Sequence, residues 1–161
     1  MIFTRRLALL ALLSCVYASA QKLTLDRPQT KNIVSYLAEP AMVEAGTPAD
    51  VELAFRIADG VHINSHSPAD SEMIPTTLML QPVAGVKLGR TQYPVGTKYA
   101  FSFAPGNKLN VYSGDFVVMA RVIVAQAGSY TLKGLLDYQA CDNLQCYPVK
   151  TLPVTLVLIA K

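Results

Sequence analysis

The chain has 161 residues, with 14 basic and 11 acidic side chains, a formal charge of +3, three cysteines and two histidines. That length suffices for one domain with a core of its own. So slight a charge gives no reason to expect nucleic acid or an acidic membrane surface as partner. Arg5 and Arg6 precede the apolar stretch Leu7 to Leu13, and small residues follow as far as Ala18-Ser19-Ala20. A positive region, a short apolar region and an A-x-A ending read as a secretory signal peptide over residues 1–20, cleaved before Gln21. The apolar stretch is about half the ~20 residues that a membrane-spanning helix needs, so no anchor is expected to be retained. Leu12-Leu13-Ser14-Cys15 also loosely matches a lipoprotein cleavage box with Cys15 lipidated, but Ala18-Ser19-Ala20 is the cleaner site. Cleavage removes Arg5 and Arg6 and no acidic residue, which lowers the formal charge from +3 to +1. No second apolar span follows. The mature protein is expected in the periplasm, soluble or tethered but without a membrane span.

Residues 21–32 form a polar lead-in, and residues 33–161 read as a single β domain. In Val51-Glu52-Leu53-Ala54-Phe55-Arg56-Ile57 the odd positions are large and apolar and the even ones small or charged. Tyr99, Phe101 and Phe103 alternate with small residues in the same way, and so do Leu152, Val154, Leu156 and Leu158 with their neighbours. Period two is the signature of strands with one buried face. Phe116 to Val124 is more continuously apolar and predicts a central strand covered on both faces. Tyr130 to Ala140 predicts a further strand. Turn formers punctuate these runs at Asp59-Gly60, Ala84-Gly85, Pro94-Val95-Gly96, Pro105-Gly106-Asn107, Ser113-Gly114-Asp115 and Gly128-Ser129. No segment has a sustained helical period with caps. The expected class is all-β, an antiparallel β-sandwich of immunoglobulin-like type; a closed barrel fits the same pattern.

Two cysteines survive maturation, in Tyr138-Gln139-Ala140-Cys141-Asp142-Asn143-Leu144-Gln145-Cys146-Tyr147-Pro148. In an oxidising compartment a disulfide between them is the default. Five steps of extended chain would cover ~16 Å, whereas bonded cysteines need Cα atoms within ~7 Å. The chain must therefore reverse tightly, which Asp142-Asn143 favours. Such a bridge can be a staple or a reagent. As a staple it contributes only about 2 kcal/mol, against nearly ~5 for a long loop. A short, turn-borne, accessible disulfide is the kind that tends to be labile or catalytic. Spacing alone leaves the two readings open. C-x4-C is not the C-x-x-C of thioredoxin folds, and no βαβ pattern surrounds it.

Resemblance adds to this. Leu136 to Cys141, then Cys146-Tyr147-Pro148 and Thr151-Leu152-Pro153-Val154, resemble the N-terminal periplasmic domain of DsbD, the membrane thiol:disulfide reductase, with its Tyr-Gln-x-Cys, short loop and Cys-Tyr-Pro before the last strand. Asp59 to Asp70 with Ile74-Pro75-Thr76, and Asn110 to Asp115, resemble two further segments of that family. The likeness runs from about Ile33 to the end. It implies an immunoglobulin-like fold and thiol:disulfide exchange, in which Cys141 and Cys146 are the redox pair. The implied partners are thioredoxin-like periplasmic acceptors, including a disulfide isomerase and cytochrome c maturation factors, and no cofactor is implied. Because no membrane or thioredoxin-like domain follows, the electron donor is expected to be a separate membrane protein. The family's cap loop, which shields the pair, would fall near Phe101 to Asn110. Phe101 or Phe103 would supply the covering ring, although their alternation fits core residues at least as well. Tyr138 and Tyr147 would flank the pair. The loop between the cysteines is often one residue longer in the family.

Other readings compete less well. A second hypothesis is an immunoglobulin-like binding or assembly module whose disulfide is structural. A third is a copper or zinc protein using His62 and His66 with the cysteines, although hydrogen-bonded structural histidines on a strand and its following loop fit better. Asn64 and Asp70 are expected to organise that loop through side-chain to backbone bonds. Asp137 and Asp142 flank the cysteines and would either raise a thiol pKa or lie in a solvated loop. Met73, Met79 and Met119 read as packing. Hydrolase motifs are missing.

Overall fold

The computed structural model describes residues 32–161. The expected signal peptide over 1–20, its Cys15 box, and the lead-in as far as Lys31 lie outside the described residues. In chain order the strands are β1 (Val34–Leu37), β2 (Ala41–Val43), β3 (Pro48–Ile57), β4 (His62–Asn64), β5 (Thr77–Leu80) and β6 (Val86–Gln92). They continue with β7 (Thr97–Ala100), β8 (Lys108–Tyr112), β9 (Asp115–Val124), β10 (Gly128–Tyr138), β11 (Ala140–Cys141) and β12 (Lys150–Ala160). Among the described residues there is no helix.

Two of the three period-two segments become long strands. In β3 the apolar positions Val51, Leu53, Phe55 and Ile57 are all buried, and in β12 Val154, Leu156, Leu158 and Ala160 are. One sheet runs β1-β3-β9-β6 and a second β2-β12-β10-β5. Neighbours pair antiparallel except β2, which runs parallel to β12. Burying both apolar faces against each other gives a single core to which β3, β9, β10 and β12 all contribute. Both sheets keep two edge strands, so the architecture is an immunoglobulin-like sandwich and not a closed barrel.

Two expectations about strands need correction. β9 is central in its sheet, yet its outer face is only half covered: Phe116, Val118, Ala120, Val122 and Val124 are buried, whereas Val117 is exposed. A two-layer sandwich has no third layer to place over that face. The Tyr99-Phe101-Phe103 alternation is not one strand either. β7 stops at Ala100, and two successive turns follow, with Ala104 N donating to Phe101 O at 3.0 Å and Asn107 N to Ala104 O at 3.1 Å. The loop ends at Asn107 and β8 begins at Lys108, earlier than the Asn110 expected from sequence.

A third, small sheet, β11-β4-β8-β7, carries the cysteines. Its strands are short, and tight turns feed it: Gly60 and Gly114 adopt φ of +74° and +63°, in the left-handed region that glycine enters at no steric cost. The chain reaches it by leaving β10 after Tyr138 and pairing Ala140 and Cys141 with Ile63 and His62 of β4.

Candidate functional site

Cys141 and Cys146 are joined by a disulfide, with Cα atoms 3.9 Å apart. The reversal that this needs is built from backbone bonds. Tyr147 N donates to Ala140 O at 2.8 Å, and Asp142 N donates to Gln145 O at 2.9 Å. The cysteines sit between these bonded pairs, at the position of an antiparallel ladder where facing side chains come closest. Asp142 holds the loop shut. Its carboxylate accepts Leu144 N at 2.7 Å, Gln145 N at 2.9 Å and the Tyr147 hydroxyl. Those donors, the Tyr147 hydroxyl first, hold the Asp142 carboxyl below its ordinary pKa, and the same contact pushes the Tyr147 phenol up. Asp137 instead accepts the Thr151 hydroxyl at 2.5 Å, from the strand paired with β10.

Gln139 ties the hairpin to β4. Its carbonyl accepts Asn64 N at 3.1 Å, its side-chain oxygen accepts Asn64 Nδ2 at 3.1 Å, and its Nε2 donates to Tyr147 O at 3.4 Å. Asn64 also donates to Ile74 O at 3.0 Å, while the Asp70 carboxylate accepts Glu72 N at 2.9 Å. Both residues thus organise the β4–β5 connection as the sequence led us to expect.

Around the disulfide lies an apolar cluster distinct from the sandwich core. Phe101, Leu109, Val111 and Cys141 are buried in it, and Met73, Tyr99 and Cys146 pack against it half-buried. The two cysteines therefore differ in burial, Cys141 being 1% exposed and Cys146 half-buried. Phe101 is a core residue and a neighbour of the cysteines at once, because the core to which it belongs is this one. Phe103 is 46% exposed and stacks on Phe101 with ring centroids 5.2 Å apart. Tyr147 acts through its bond to Asp142. Tyr138 belongs to the sandwich core and not to the cysteine cluster. Among the methionines of the described residues only Met73 packs here; Met79 is half-exposed.

Apart from the metal reading that grouped His62 with the cysteines, sequence reasoning did not place Met73, Tyr99 or His62 beside the pair. Tyr99 donates its hydroxyl to Asn143 Oδ1, in the loop between the cysteines, at 2.8 Å. The His62 ring lies against Tyr99 at 3.9 Å between centroids, and edge-on to Phe101 at 5.7 Å. The register Cys141↔His62, which sets the ring beside the pair, appears only after folding. His62 Nδ1 is 2.6 Å from Ser113 Oγ, and burial lowers the pKa of the ring. His66 faces elsewhere: it stacks flat on Tyr93 at 3.7 Å, and its Nδ1 donates to Thr76 O at 2.9 Å. With the two rings engaged separately, no group of three or more His, Cys, Asp and Glu side chains able to hold a metal occurs among the described residues.

The sequence profile of the family described as thiol:disulfide interchange protein DsbD, N-terminal, matches residues 34–158. The chain belongs to the DsbD N-terminal family. This membership supports a role in thiol:disulfide exchange in general. The fold resembles the N-terminal periplasmic domain of ScsB from Proteus mirabilis at 14% identity, over 76% of this chain and 44% of that one, with a TM-score of 0.51. The DsbD N-terminal domain of Neisseria meningitidis in the reduced form aligns at 23% identity over 69% of this chain and 78% of that one, with a TM-score of 0.43. A complex between the DsbD and PilB N-terminal domains of Neisseria meningitidis aligns at 22% identity, over 66% and 73% of the two chains, with a TM-score of 0.44. No curated protein matches the chain. The three segments that resemble the DsbD domain in sequence meet at one end of the fold. Residues 59–70 supply β4, residues 110–115 the end of β8 and its turn, and residues 136–154 the cysteine hairpin. Among the described residues no helix is long and apolar enough to cross a membrane.

Proposed function

We propose that the domain over residues 33–161, exported by the leader over 1–20 to the periplasm, carries reducing equivalents from a membrane dithiol donor to thioredoxin-like acceptors. The observation that supports this reading is the asymmetric disulfide, with Cys141 buried and Cys146 half-buried, in a hairpin beside a small cluster of its own. In the reduced form the Cys146 thiolate attacks a sulfur of the acceptor disulfide, forming a mixed disulfide and releasing one acceptor thiolate. Cys141, held beside it, then attacks Cys146 Sγ. This closes Cys141–Cys146 and releases the second acceptor thiolate, so that two electrons have passed to the acceptor. A donor dithiol reverses the sequence and restores the two thiols. Residues 101–107, with Phe101 and Phe103, cover the pair between encounters. Leu144 in the loop is 82% exposed and offers an apolar contact to a docking protein.

Trapping tests the assignment. Cys141→Ala removes the resolving sulfur and is expected to accumulate mixed disulfides through Cys146 with thioredoxin-like periplasmic proteins. Cys146→Ala is expected to accumulate at least tenfold less. Failure of both variants to form any adduct would leave an immunoglobulin-like binding module with a structural bridge.

A further inference from the structure

The strongest unassigned feature near the disulfide is His62, which takes no part in the exchange steps. Its place in the ladder is opposite Cys141. Facing residues of an antiparallel pair project to the same side of the sheet, so the imidazole and the buried cysteine rise together from one surface. The ring then serves three contacts. Its face supports Tyr99 at 3.9 Å, its surroundings include the Phe101 edge contact at 5.7 Å, and its Nδ1 is fixed against Ser113 Oγ at 2.6 Å. Tyr99 in turn bonds Asn143 between the cysteines, and Phe101 packs in the cysteine cluster beneath Phe103.

We propose that His62 is a positioning residue: the platform on which Tyr99 and Phe101 rest as they cover the Cys141–Cys146 disulfide, held in plane by Ser113. The proposal deepens the exchange reading and rests on it for the meaning of the cover. Residues 101–107 have no strand pairing of their own, and their two turn bonds are local. Phe101 ties this segment to the cysteine cluster by side-chain packing, and both Phe101 and the Tyr99 that precedes it in β7 make aromatic contacts to His62. An aromatic pair is worth enough to shift a closed–open balance by about two- to tenfold. Removing the platform raises the fraction of time the sulfurs are uncovered without altering the bond beneath. Ser113 sits at the tight β8–β9 turn, where Gly114 has φ +63°, so the anchor is itself rigidly placed.

The test is the rate at which dithiothreitol reduces the oxidised protein, followed by thiol trapping at fixed pH. His62→Ala is expected to be reduced roughly three- to tenfold faster than wild type. His62→Phe keeps a flat ring and is expected to recover most of the protection. Ser113→Ala, which loosens the ring, is expected to fall between His62→Phe and His62→Ala. A folded His62→Ala reduced at the wild-type rate would overturn the proposal, and so would His62→Phe reacting as fast as His62→Ala. Where His62→Ala does not fold, Ser113→Ala decides: a wild-type rate overturns the platform and a faster one supports it. Small-thiol access reads the cover alone, whereas the carrier reading fails separately, through the absence of mixed disulfides with protein partners.

Discussion

The sandwich and the cysteine end are built on opposite principles. In the sandwich, β10 and β12 pair over their whole lengths, from Gly128↔Ala160 to Tyr138↔Lys150, and β3 and β9 do nearly the same. Their inward faces form one continuous core. At the cysteine end the strands are short, β11 is only Ala140–Cys141, and just Phe101, Leu109, Val111 and Cys141 are buried together. Large buried areas make the first region cooperative and slow to open. The second is expected to open locally at a cost well below that of global unfolding. A site that must alternately shield and expose a sulfur belongs on the second kind of region, held in position by the first.

That contrast can be broken most forcefully at its two phenylalanines. Phe55→Ala, at the centre of the sandwich, is expected to cost ~3–5 kcal/mol of global stability in urea unfolding. Phe101→Ala, although equally buried, is expected to cost clearly less because its cluster is small, while speeding reduction by dithiothreitol about tenfold. Equal costs would mean that the two clusters unfold as one. Next in size is the bridge itself. Opening Cys141–Cys146 is expected to lower stability by about 2 kcal/mol, with far-ultraviolet circular dichroism unchanged.

Acid sharpens the comparison further. The Asp142 carboxyl has a lowered pKa in the folded hairpin, chiefly through the Tyr147 hydroxyl. Its stabilising bonds are therefore fully present above the unfolded carboxyl value of ~3.9 and are lost as pH falls through the lower folded value. The amide signals of Leu144 and Gln145 are expected to hold steady from pH 8 to about 4.5 and to move only below that, before any signal of β10 or β12. The smallest effect is expected at Arg56–Asp115, a bidentate pair with both side chains more than half exposed. Asp115→Asn should leave the urea midpoint within experimental error, since solvent screens such pairs.

The same contrast decides what could be read in advance. β3 and β12 are long, have one wet face, and announce themselves by period two, as do their buried residues; β10 is legible as a strand over Tyr130 to Ala140, although it ends at Tyr138. β9 is legible as a strand, but its apolar outer face misleads about its covering. In the small sheet, period two has too few residues to work with. Tyr99, Phe101 and Phe103 look like three positions on one face, yet the chain turns after Ala100 and the side chains divide: Tyr99 half-buried, Phe101 buried, Phe103 exposed. The cysteine pair was legible from its spacing and its flanking Tyr-Gln and Tyr-Pro. His62 and Met73 were not legible as its neighbours, because only long-range pairing brings them there. Tyr138 and Ala140 face the sandwich core and Cys141 the small cluster, so the chain passes from one core to the other between Ala140 and Cys141.

The most direct test of the exchange reading is the reduction potential of Cys141–Cys146, measured on the mature chain by equilibration in glutathione or dithiothreitol buffers with thiol trapping. A value between roughly −180 and −270 mV, with the sandwich intact in both forms, is expected of an exchange carrier. A value below about −300 mV would mark a structural bridge and contradict it.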